Sequence, residues 1–254
     1  MKRPELLLGG IVLAGAAFVA GQARQAPPRR GHDSAADSAT VTDTADGLRL
    51  SRVRRSTLPP PPPKDFADMA RRLDAARDRT YLDDILAARD NNIARWPDRG
   101  ERPIAVWVQP RPGLRDFRPE FRNRARDAFY MWSAAGVPLT FLFVDDSLAA
   151  EVRLRWVYSF DDGPAGKTFW SRDQNWWIVE ADVEIALHSS AGEAYDGQAI
   201  RKITLHEVGH LIGLDHSPDP NDVMAARVHV MGLSAADLRT ALLIYSLPPG
   251  SVLP

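Results

Sequence analysis

The chain has 254 residues, 44% hydrophobic and 26% charged, with a formal net charge of −1 and no cysteine. That suits one well-buried domain with extensions and argues against two large ones. Arginines offset by acids along the whole chain leave no nucleic-acid footprint, and the lack of cysteine excludes disulfides, thiolate metal ligands, a catalytic thiol and a lipidated N-terminal cysteine.

Residues 1–23 open with Met1-Lys2-Arg3, continue through an apolar run from Leu6 to Ala20, and end in small residues at Gly21 and Ala23. This is the layout of a secretory signal peptide. The run falls short of the ~20 residues of a spanning helix and is loosened by Gly9, Gly10 and Gly15. Export, to the outside or to a periplasm, is therefore the expectation, and a membrane tether through an uncleaved N-terminal anchor is the alternative. Residues 24–63 are poor in large apolar side chains and close on Pro59 to Pro63. They read as a disordered, Pro-rich linker that holds the domain at a distance. In residues 64–95, Phe66, Met69, Leu73, Tyr81, Leu82, Ile85, Leu86 and Ile93 recur at helical spacing among Arg and Asp. One long or two short amphipathic helices follow from that period, a packing arm of the domain rather than a removable inhibitory segment. Inhibition would need a group on the metal, for which only a carboxylate such as Asp83 or Asp84 is available.

From Trp96-Pro97 onward the pattern is that of one domain, residues 96–254. Ile104 to Val108 reads as a first strand, and 118–135 as a helix whose stripe is Phe121, Ala125, Ala128, Phe129 and Trp132. Strands follow at 140–144, at 151–158 with apolar and charged residues alternating, at 167–171 and at 177–188. The acid pairs Asp145-Asp146 and Asp161-Asp162 have the oxygen-rich character that suits Ca2+, although solvated turn acids are the commoner use of such pairs. A helix over 199–211 then carries the densest chemistry of the chain. Ser234 with Asp237 three residues later marks the N-terminus of a final helix.

That dense stretch is His206-Glu207-Val208-Gly209-His210-Leu211-Ile212-Gly213-Leu214-Asp215-His216, an unbroken HExxHxxGxxH string. Residues four apart share a helix face, so His206 and His210 can aim at one ion. Gly213 tolerates positive φ, which lets the helix end and bring His216 round as a third ligand. Three protein nitrogens with one open position is the arrangement of catalytic Zn2+, not of a structural site. Glu207, beside the first ligand, is the candidate general base.

With Ser217 directly after the third His, Met224 in a short downstream turn, and Leu233-Ser234 to Asp237-Leu238 followed by Tyr245, the chain resembles the metzincin metallopeptidases. Among them it is most similar to the matrixins and their compact bacterial relatives, over residues 96–249. The resemblance implies an α+β, zincin-like fold, a mixed twisted sheet of about five strands with one antiparallel edge strand, packed on helices that include the active-site helix. It implies His206, His210 and His216 as ligands of one catalytic zinc, Glu207 as the base, and Met224 as an apolar floor beneath the histidines. Departures are equally clear. There is no cysteine switch, and the upstream histidine cluster of a structural zinc is reduced to His188. Ala226 stands where astacins and serralysins place a tyrosine.

The expected activity is a zinc endopeptidase that hydrolyses extracytoplasmic proteins or peptides through a zinc-bound water activated by Glu207. Substrate would add as a strand along an exposed edge, assigned to residues 166–171. No feature calls for a second chain, so a monomer is expected. The alternative is a non-hydrolytic zinc-binding surface or adhesion module tethered by the Pro-rich linker, against which an intact Glu207 argues. His188 and His229 read as ordinary structural or surface histidines, and Trp170, Trp176 and Trp177 as packing residues.

Overall fold

The computed structural model describes residues 52–54, 58–161 and 163–254. The expected signal peptide, most of the linker, and Asp162 of the second acid pair lie outside the described residues. The strands are β1 (Arg52–Arg54), β2 (Asn92–Ile93), β3 (Ile104–Val108), β4 (Phe141–Phe143), β5 (Val152–Val157), β6 (Gly166–Asp173), β7 (Ile178–Ala186) and β8 (Gly250–Ser251). The α-helices are α1 (Phe66–Ala76), α2 (Leu82–Ala88), α3 (Glu120–Ala134), α4 (Gly197–Leu211) and α5 (Ala235–Ser246).

Six strands form one sheet in the order β1-β6-β7-β5-β3-β4, and β2 pairs with β8 in a separate two-stranded ribbon. Neighbours in the large sheet are parallel except β6 and β7, which run antiparallel. In β3 and β5 every second residue is fully buried while the others are half-buried. Those buried rows, Ile104, Val106 and Val108 with Val152, Leu154 and Trp156, form the core face. α3 presents the expected stripe, with Phe121, Ala125, Ala128, Phe129 and Trp132 all buried. α4 packs on α3 and reaches β6 and β7. Trp132 also donates its indole N–H to Leu205 O at 2.9 Å, so one side chain satisfies both packing and polarity against α4. Fully burying side chains of this size contributes about 1.5–3 kcal/mol each.

Helix ends are set by local chemistry. Asp65, Asp196 and Ser234 cap α1, α4 and α5, each accepting a backbone N–H three residues on. At α5 the Ser234 and Asp237 side chains form a reciprocal capping box, as the sequence pattern predicts. The two short helices of the 64–95 arm pack into the common core, where Met69, Leu82, Ile85 and Ile93 join the same cluster as Leu205 and Val208 of α4. The arm is closed by β2 against β8, with Val252 N donating to Asn91 O at 2.9 Å.

The five strands expected from the sequence are all present, but β1, β2 and β8 were not foreseen. Arg52–Arg54, inside the tract read as a disordered linker, pairs in parallel with Ser171, Arg172 and Asp173 of β6. The end of β6 offers unpaired backbone groups, Arg54 meets Glu180 at 3.0 Å, and Trp177 donates its indole N–H to Pro59 O at 3.1 Å. Among the described residues, the linker thus ends on the sheet. β6 is also longer than expected and, at its far end, is no longer an edge. No helix of the described residues is long and apolar enough to cross a membrane.

Candidate metal centre

α4 carries His206, Glu207 and His210, all buried, on the side that faces the turn 213–225. Gly213 ends the helix at φ 105°, and a Cβ there would run into the backbone carbonyl of Ala94. Glycine is therefore required twice over, for its dihedral and for the close approach. The chain turns and brings His216 back. One ligand-type atom from each of His206, His210 and His216 then lies within 4.8 Å of the others, the sole group of this kind among the described residues. The ring centroids stand 4.5 Å, 5.0 Å and 5.4 Å apart, tilted as three rings around one point rather than stacked.

The backbone selects the tautomers. His206 Nδ1 lies 2.7 Å from Val223 O, and His210 Nδ1 lies 3.2 Å from Leu214 O. A carbonyl can only accept, so both rings carry their proton on Nδ1 and the lone pair falls on Nε2, the state a metal ligand needs. Neutral nitrogen donors without cysteine suit zinc, and the donor set fits that ion.

Met224 is fully buried, its thioether packed on Gly209, which lies between His206 and His210 in the sequence of α4. A Cβ at Gly209 would collide with the sulfur and lie 3.1 Å from Met224 Cε, so the glycine in the HExxH core is there for the methionine. The turn is held by its own polar groups. Ser217 N donates to Met224 O at 2.8 Å, and Ser217 Oγ donates to Asp222 Oδ2. Asp237 reaches over from α5 to accept the backbone N–H groups of Val223 at 2.9 Å and Met224 at 3.4 Å, and takes the Tyr81 hydroxyl at 3.1 Å. Burial pushes the Asp237 carboxyl above the ordinary carboxylate range, the N–H donors of Ser234 and Val223 opposing it. It pushes the Tyr81 phenol well above its usual value too, reinforced by the charge of Asp237.

Glu207 has a seat of its own. Thr168 Oγ1 donates to Glu207 Oε2 at 2.7 Å, and it also lies 3.1 Å from Glu207 O. Two residues earlier on the same face of β6, Gly166 leaves space for the carboxylate; a Cβ there would sit 2.6 Å from Oε1. The strand thus provides room at one position and a hydroxyl at the next on that face.

A family model described as matrixin, of the M10 peptidases, matches residues 114–245. The chain belongs to the matrixin family. A stretch of 34 residues is 47% identical to a protein of Invertebrate iridescent virus 3 described as a probable matrix metalloproteinase, and it covers 13% of this chain and 9% of that protein. The family is one of metallopeptidases that typically bind zinc, and His206, His210 and His216 of this matrixin form a group that could hold a metal ion.

Other candidates in this matrixin are not drawn into the centre. His188 is buried at the end of β7, stacked on Tyr158 with centroids 4.0 Å apart, with Nε2 3.0 Å from Asp116 Oδ2. His229 is exposed. Asp146 Oδ1 accepts Leu148 N at 2.8 Å, as a turn acid does. Asp83 and Asp84 are exposed on the first turn of α2, Asp83 beside Arg77 at 3.5 Å. Trp170 and Trp177 are buried packing residues. Sequence reasoning placed Gly166 and Thr168 on an exposed edge and gave neither a role beside Glu207. It also assigned no role at the C-terminus of α4 to the side chains that close it. Trp96 Nε1 donates to Leu211 O at 3.0 Å, Tyr245 OH to Ile212 O at 3.0 Å, and Arg89 to Gly213 O at 2.7 Å and Leu214 O at 3.1 Å. Carbonyls that a helix end leaves without intrahelical partners are met one after another by side chains from distant segments. The only advance signal was an aromatic or cation at spots with no periodic reason to be there.

Proposed function

We propose that this matrixin is a zinc-dependent endopeptidase of extracytoplasmic proteins, with Glu207 as general base and His206, His210 and His216 as the metal ligands. The observation that carries the reading is the convergence of the three imidazoles with a carboxylate already pinned beside them. Bound zinc would supply a Lewis acid that makes a water acidic near neutral pH and polarises a peptide carbonyl. Glu207 takes the proton of the attacking water and delivers it to the departing amine, so no serine or cysteine nucleophile is needed. Thr168 holds Oε2, which fixes the plane of the carboxylate. The outer side of β6 from Gly166 to Trp170 faces no other described strand, because β1 covers only Ser171 to Asp173. An extended substrate adds there, next to Glu207, by backbone pairing. The expected edge of 166–171 accordingly shortens by one residue.

Export rests on the layout of residues 1–23, with a retained anchor as its variant. The test is incubation of purified protein with casein or a peptide library, with zinc, with a chelator, and as Glu207→Ala. Cleavage by the zinc-loaded wild type alone is expected. A protein that holds zinc and cleaves nothing would instead be the binding module considered above.

A further inference from the structure

Upstream of the matched family region, the 64–95 arm places one guanidinium against the turn that carries the third histidine. Arg89 follows α2 and precedes Asp90 and Asn91, whose φ values of 50° and 59° reverse the chain into β2. That reversal turns the Arg89 side chain inward, where only 3% of it is exposed. Nη1 donates to Gly213 O at 2.7 Å, and Nη2 lies 3.1 Å from Leu214 O and 3.4 Å from Asp215 Oδ2. The Trp170 ring lies 5.6 Å away.

Each of the two groups next to Gly213 governs a histidine. Leu214 O, besides meeting Arg89, faces His210 Nδ1 at 3.2 Å and so sets that ring's rotation and tautomer. Asp215 Oδ1 accepts the backbone N–H of His216 at 2.9 Å while its other oxygen faces Arg89. From the same arm, the Ala94 carbonyl packs so closely on Gly213 that no Cβ fits between them. The turn is thus clamped by the arm through backbone contact and through a planar fork of donors, which a point charge could not match at three acceptors.

We infer that Arg89 is a positioning residue of the metal centre: it fixes the carbonyl that orients His210 and the carboxylate that orients His216. Two groups at the end of the 64–95 arm, Arg89 and the Ala94 carbonyl, therefore belong to the metal-binding apparatus, and the arm is not a segment whose removal switches the enzyme on. The inference rests on the reading of the three histidines as zinc ligands. Outer partners of metal-bound histidines typically affect affinity by about 10–100-fold, and that is the size of effect assigned to Arg89.

The test uses the full chain and reads metal binding rather than hydrolysis. Zinc dissociation constants come from chelator competition, and the ligand field from the visible spectrum of the Co2+ form. Arg89→Met is expected to weaken zinc at least tenfold and to alter the Co2+ bands, while Arg89→Lys recovers only part of the loss. Ile85→Val, a core trim in the same arm, should lower Tm and leave zinc affinity unchanged. Should Arg89→Met fail to fold, Asp215→Asn, which keeps an acceptor for His216 N but removes the charge facing Arg89, is expected to weaken zinc several-fold. Zinc affinity within twofold of wild type and an unchanged Co2+ spectrum in Arg89→Met, or an unchanged affinity in Asp215→Asn, would overturn the inference. A wild type that binds zinc but cleaves no peptide would remove the proteolytic reading and leave this one standing on its affinities.

Discussion

Replacing Thr168 by valine keeps the branched shape of the side chain and deletes a hydroxyl that donates to the Glu207 carboxylate. Both residues are buried, at 2% exposure each, and the bond is 2.7 Å long. A hydrogen bond to a charged acceptor is worth about 1.5–3 kcal/mol, and about 1.4 kcal/mol corresponds to a tenfold change in rate. If that restraint keeps the carboxylate in its proton-accepting pose, Thr168→Val lowers kcat by about 10- to 100-fold. KM and zinc content stay near wild type, because the hydroxyl touches neither the histidines nor the outer edge of β6. Thr168→Ser retains the donor and is expected to stay within about threefold. The assay is steady-state hydrolysis of an internally quenched peptide, with metal content by mass spectrometry and Tm measured on the same samples. A zinc-replete Thr168→Val enzyme with kcat within twofold of wild type would refute the reasoning. So would a serine variant as impaired as the valine one.

Chelation should destabilise the chain: with zinc at about 1,000 times its Kd the linked stabilisation is about 4 kcal/mol, or a Tm shift of roughly 8–16 °C for a chain of this size; equal Tm values with zinc and with chelator would exclude a preformed site. Gly209→Ala places a methyl group against Met224 and 3.1 Å from Trp132 Cζ2, and overpacking of this kind costs about 1–3 kcal/mol against about 1 kcal/mol gained in helix propensity. Its zinc affinity is expected to fall even where Tm barely moves, and unchanged affinity would argue that the methionine floor is not coupled to the histidines. For Asp237 the sign follows from burial: its folded-state pKa lies above the unfolded ~3.9, so its contribution is fully present below that pH and is lost as pH rises through the folded value. Urea unfolding should show the stability of wild type relative to Asp237→Asn declining across that window; a rising difference would contradict it.

The elements of the domain were legible because they rest on local rules. The buried stripe of α3, the alternation in β5, the capping box at Ser234 and the spacing of His206, His210 and His216 all follow from helix and strand periods or from a side chain meeting its own backbone. Even Gly213 was readable, since a helix that must stop and turn back between His210 and His216 needs positive φ there. β1 was not. Residues 24–63 have the composition of a linker, and three residues with two arginines among them bury too little to announce a strand. Their place comes from the exposed end of β6 and the acid at Glu180.

What the sequence alone determined, then, is the donor set and its order: three imidazoles, a carboxylate beside the first, a glycine to turn the chain and a methionine beyond. These are fixed by backbone geometry over a few residues, where 3.6 residues per turn leaves little choice. Which groups hold that set in place was decided only by the tertiary structure. Thr168 meets Glu207 across 39 residues and Arg89 meets Gly213 across 124. Such contacts have no period, because they depend on how the sheet and the arm close around α4. Buried carbonyls and a buried carboxylate must find donors, but only the packed chain determines which side chains arrive.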